Sequence, residues 1–117
     1  MDSAERKNIV LNGKTFSIGY LPFAKNRKVI PATDYAFKAY KRSLPPTSEP
    51  LNVTAIDNTY LAIFEAVNYA DPKVTREIFD SWPLNMQELI TALIVIAQQT
   101  GVLVQQHSEG KPITGEA

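Results

Sequence analysis

The chain reads as a mainly α domain: about four short helices behind an N-terminal β-hairpin. Three observations predict it. Asn12-Gly13 stands between two β-prone runs, the strongest short-range hairpin signal a sequence offers. Later segments repeat apolar residues at helical spacing, each bounded by a capping residue, a glycine or a proline. And 117 residues with 44% hydrophobic content suit one core rather than two.

The hairpin is expected over 8–19, with Ile9-Val10-Leu11 and Thr15-Phe16-Ser17-Ile18 as its strands. Asn-Gly supplies the positive φ angles of a type I′ turn, and Phe16 and Ile18 share a face by the period of two. Two strands are marginal in water, so they need a helix or another chain to pack on. Gly19 to Arg27 reads as irregular, punctuated by Pro22, and a first helix is expected over about 31–44, beginning near Pro31 or Thr33. Phe37, Tyr40 and Leu44 recur at i, i+3 and i+7 on one of its faces. Pro45-Pro46-Thr-Ser-Glu-Pro50 stops that helix and forms the clearest linker.

A second helix is expected over 52–69, capped by Asn52 or Thr54. Ile56, Tyr60, Ile63, Phe64 and Val67 form its stripe, and Asp71-Pro72 ends it. Thr75 can cap a short third helix over 75–82, halted at Trp82-Pro83 because the residue before proline resists the α region. The last helix is expected over 85–100. Asn85 caps it, Glu88 stands in the capping-box position, and Gly101 follows where a left-handed cap belongs. One domain over 1–107 and a flexible tail over 108–117, rich in small and polar residues, complete the expected organisation.

Charge is balanced in total and divided along the chain. Residues 1–42 hold nine Lys/Arg against three Asp/Glu, and residues 43–117 hold three against nine. The basic 25–42 segment, where Tyr35, Phe37 and Tyr40 alternate with Lys38, Lys41 and Arg42, could serve a nucleic-acid surface. It could equally attract the acidic half, or let one copy dock on another. No apolar run approaches the roughly 20 residues of a membrane span. The opening Met-Asp-Ser-Ala-Glu-Arg-Lys is too polar for a signal peptide, and with no Cys a cytoplasmic protein is the simplest reading.

Chemistry-bearing groups are sparse. There is no Cys, and the single His107 borders the expected tail. Glu77 and Asp80 have a spacing routine on solvated helices, and Lys14 beside Gly13 lacks the frame of a phosphate loop. The expectation is therefore a non-enzymatic protein with no cofactor and no catalytic or metal site. By contrast Met86, Leu89, Ile90, Leu93, Ile94, Ile96 and Ala97 cover more than half the last helix. Either its own domain surrounds that helix, or a patch remains for another chain. Phe79 and Trp82 face the same two alternatives.

Order and pattern carry a resemblance. A hairpin with Asn12-Gly-Lys14 comes first. Later come Asp71-Pro-Lys-Val-Thr-Arg-Glu77, the step Ser81-Trp82-Pro83, and a final helix from Glu88 closing at Gly101. Over roughly residues 8 to 101 this resembles the tail assembly chaperones of long-tailed bacteriophages. The resemblance implies copies that coat the tape measure protein in the host cell cytoplasm, recruit tail tube protein subunits and leave before the virion matures. It implies a homo-oligomer, and Phe79, Trp82, Leu89, Leu93 and Ile96 as partner-binding or oligomer residues. Such chaperones are often extended by ribosomal frameshifting, and Gly110-Lys111 fits a slippery codon run. Two other readings stand beside it: a small DNA-binding regulator using 25–42, and a structural tail-completion or head-tail joining protein.

Overall fold

The computed structural model describes residues 6–103. Strands β1 (Lys7–Leu11) and β2 (Lys14–Ile18) precede helices α1 (Phe23–Ser43), α2 (Val53–Ala70), α3 (Arg76–Asp80) and α4 (Met86–Thr100). A two-stranded hairpin followed by four helices matches the expected fold class. The expected tail at 108–117, His107 and Gly110-Lys111 lie outside the described residues.

β1 and β2 pair antiparallel, with Ile9 opposite Phe16 and Leu11 opposite Lys14. Asn12 and Gly13 adopt φ of 53° and 73°, as a type I′ turn requires. Ile9, Leu11, Phe16 and Ile18 all point into the core. What supports the hairpin comes from its own chain: β1 lies against α4 and β2 against α2. Two polar ties fix it there. The buried Gln99 Nε2 donates to the Ile18 carbonyl at 2.8 Å, and the Asn12 backbone N–H donates to Glu88 Oε2 at 3.4 Å.

α1 departs from expectation. It begins at Phe23, a full two turns earlier than the proline at 31 suggests, and runs straight through Pro31. Pro22 is its N-cap, whose carbonyl accepts from the N–H groups of Lys25 and Asn26, both at 3.0 Å. Pro31 removes one helical donor and crowds the carbonyl four residues back, at a cost of ~3 kcal/mol. Both Pro31 and Arg27 are exposed, so the orphaned carbonyl meets water. The buried stripe Val29, Ala32, Thr33, Ala36 and Ala39 spans the proline on both sides. Packing of that stripe on α2 and α4 holds the helix together where propensity alone would break it.

The remaining boundaries follow their caps. Asn52 Oδ1 accepts from Ala55 N–H at 2.8 Å, and Thr75 Oγ1 from Ile78 N–H at 3.3 Å. α3 is shorter than the expected 75–82, closing where the Ser81 and Trp82 N–H groups turn back onto Ile78 and Phe79. α4 carries a complete capping box between Asn85 and Glu88, and Gly101 caps its end at φ 85°. α1 and α2 are also pinned by an ion pair, Lys25 Nζ to Glu65 Oε1 at 2.7 Å, with the carboxylate largely buried. No described helix is long and apolar enough to cross a membrane.

Candidate docking groove

The five residues expected to meet a partner are placed mostly inside. Phe79, Leu93 and Ile96 have no exposure, Leu89 is buried, and all four belong to the central cluster. In this structure they pack in the core and hold the domain together. The reason is local. Leu89, Leu93 and Ile96 form the α4 stripe turned toward the hairpin, α1 and α2, while Phe79 packs on Tyr60 and Phe64 at the middle of α2. Trp82 is half-buried, its ring 5.5 Å from Phe79 and 6.1 Å from Phe16.

That aromatic cluster ends at the surface in a polar latch. Tyr60 lies 4.8 Å from Phe79, and its hydroxyl donates to Asp80 Oδ1. Arg76 Nε reaches the same carboxylate at 3.1 Å, its guanidinium 5.1 Å from the Tyr60 ring and 5.6 Å from Phe64. Desolvation, then the hydrogen bond and negative charge of Asp80, push the Tyr60 pKa up to about 12. The hydrogen bond from Tyr60 chiefly holds Asp80 below the ordinary carboxylate value. The latch joins α2 to α3, and no group of three or more His, Cys, Asp or Glu among the described residues could hold a metal.

Half-buried apolar residues of α4 also line a groove beside the core stripe. Gln87, Ile90, Thr91 and Ile94, at i, i+3, i+4 and i+7, line one wall of a groove of about 480 Å³, with Tyr40 of α1 opposite. Gln87 and Thr91 also line a second hollow, of about 320 Å³, with Val10, Asn85 and Glu88. The two hollows share Gln87 and Thr91 as a common edge, and the larger one is a trough between α4 and α1. From Gln87 to Ile94 it follows α4 for about 10 Å, roughly two helical turns.

On α1, the Tyr40 ring lies tilted 6.2 Å from Phe37, and Lys41 Nζ sits 5.9 Å from the Phe37 ring. Lys38 and Arg42 stand within a turn of Lys41, in exposed pairs with Asp34 at 3.1 Å and Glu49 at 3.4 Å. On α4 the only charged residue is Glu88, which is engaged by the backbone N–H groups of Asn85 and Asn12.

Sequence reading passed over this trough although its signal was present. Ile90 and Ile94 form an apolar stripe of their own, one residue out of phase with Leu89 and Leu93. Periodicity shows that α4 has two stripes but not which turns inward. A second exposed feature, Tyr20 and the 79% exposed Phe23, neighbours Arg27 and Lys28, which make no ion pair among the described residues. No family model, curated protein or solved structure matches this chain.

Proposed function

We propose that this protein is a non-enzymatic binding module that covers an apolar helix of a partner, and that it serves as a phage tail assembly chaperone for the tape measure protein. The observation that carries the binding reading is the trough between α1 and α4. Tyr40, Ile90 and Ile94 offer an apolar floor two turns long on helices whose inward faces are committed to the core. A helix docks in such a groove through its own apolar residues at i, i+3, i+4 and i+7, and a trough two turns long has room for one such set. A small open contact of this size suits transient cover, since affinity depends on a few well-buried anchors rather than area. The pattern of hairpin, Asp71-Pro72 segment and capped last helix supports the phage assignment within that class.

The test is co-expression with the long helical protein encoded beside this one, followed by co-purification and sizing. The reading expects the client to become soluble and to elute with several copies of this chain, and the Ile90→Lys/Ile94→Lys double variant to lose it. A client left insoluble, with this chain eluting alone, would overturn the chaperone role. Retention on DNA that falls with salt would favour the regulator reading, and presence in mature particles would favour a structural tail protein.

A further inference from the structure

The two edges of the hairpin are not alike. Across a two-residue turn, Leu11 and Lys14 exchange both backbone hydrogen bonds, and every second pair along the ladder does the same. The N–H and C=O groups of Asn8 and Val10 therefore point away from β2, and those of Thr15 and Ser17 point away from β1. The β2 edge is guarded. Arg6 lies across Gly19, where a Cβ would meet its Nη1 at 2.6 Å, and donates to Ser17 Oγ at 2.8 Å and to the Ser17 carbonyl at 2.9 Å. The β1 edge is open: among the described residues no group outside β2 bonds to the Asn8 or Val10 backbone, and both residues are exposed.

We propose that this open edge takes an extended segment of a partner chain as a third, antiparallel strand, with a Lys or Arg on the side that faces α4. An unpaired row of main-chain donors and acceptors is complementary to another extended backbone, whereas a helix has spent its own groups internally. Room for the segment is present. The hollow of about 320 Å³ beside Val10 is lined on its other side by Asn85, Gln87, Glu88 and Thr91 at the start of α4. Glu88 is the one charged residue lining it and makes no ion pair among the described residues, so a basic side chain gains there and an acidic one is repelled. Glu88 also sets the limit of pairing, because its Oε2 accepts the outward Asn12 N–H at 3.4 Å. This site is separate from the trough, and its guest is a strand rather than a helix.

The probe is a capped peptide of about eight residues alternating Val and Lys, long enough to span β1. In an antiparallel pair its Val residues stand opposite Asn8 and Val10 with their N–H groups toward β1, and its Lys side chains face α4. Added to the full isotope-labelled chain, it should slow amide exchange at Asn8 and Val10 and leave Thr15 and Ser17 unchanged. N-methylation at the Val amides should weaken binding roughly tenfold, and N-methylation at the Lys amides should not. A Val/Glu peptide should bind more weakly, with the gap closing in Glu88→Gln, whose side-chain oxygen still accepts from the backbone. Val10→Pro, which removes only an outward N–H from an edge strand, should weaken binding as the methylated peptide does. Equal effects of the two methylations, or changes centred on Tyr40, Ile90 and Ile94 with Asn8 and Val10 unmoved, would overturn the proposal. So would no binding at about 1 mM, or a dimer of the chain alone that Val10→Pro abolishes, which would give the edge to a second copy.

Discussion

Replacing Phe79 by alanine separates a core residue from a contact residue. The side chain is fully buried, with ring neighbours Tyr60 at 4.8 Å and Phe64 and Trp82 at 5.5 Å. Truncating a buried phenylalanine costs about 3–5 kcal/mol. Three aromatic pairs, each contributing about 0.5–1.5 kcal/mol beyond burial, place this site in the upper part of that range, at about 4–5 kcal/mol. A domain of this size has a total stability of roughly 5–15 kcal/mol, so the variant should lose about a quarter or more of it and be partly unfolded if the parent is at the low end. Guanidinium denaturation followed by Trp82 fluorescence, with circular dichroism as a second probe, measures the change. A loss below about 1.5 kcal/mol would refute the placement of Phe79 at the centre of the cluster, because only a residue near solvent loses so little.

Other sites give further checks. Ile94→Ser, on the trough wall, should change stability by no more than about 1 kcal/mol in the same denaturation assay while weakening partner binding, the reverse of Phe79→Ala. Gln99→Ala removes the donor to the buried Ile18 carbonyl and should cost about 1–3 kcal/mol, read as a lower denaturation midpoint. Asn85→Ala loses the cap of α4 and half of its capping box, for about 1 kcal/mol in the same assay. Tyr60 has its folded pKa raised from 10.0 to about 12, so its contribution is intact below pH 10 and is lost as pH climbs from 10 to 12. Stability against pH should fall across that window in the parent and fall less in Tyr60→Phe. Equal slopes in the two proteins would contradict the latch.

Much of the fold was legible because it rests on local chemistry. Asn12-Gly13 names its own turn, and Asn52, Thr75, Asn85 and Gly101 cap helices where their side chains or φ preferences place them. What stayed hidden depends on tertiary packing. Pro31 argues against a helix locally, and only the buried stripe from Val29 to Ala39 against α2 and α4 overrides it. The groove stays hidden in the sequence for a related reason. Leu89, Leu93 and Ile96 stand out as hydrophobic, and for that same property the core takes them. The surface that remains, Tyr40 with Ile90 and Ile94, joins helices some fifty residues apart, and no period within one helix brings them together.

The central claim is that partners dock in the trough between α1 and α4. Amide hydrogen exchange of the chain alone and with its helical client bound tests it most directly. The account predicts new protection in segments 37–42 and 87–94, where backbone beneath the contact opens less often once covered, with little change in α3. Protection confined to α3 and the Tyr20–Phe23 surface, with 87–94 unchanged, would contradict it.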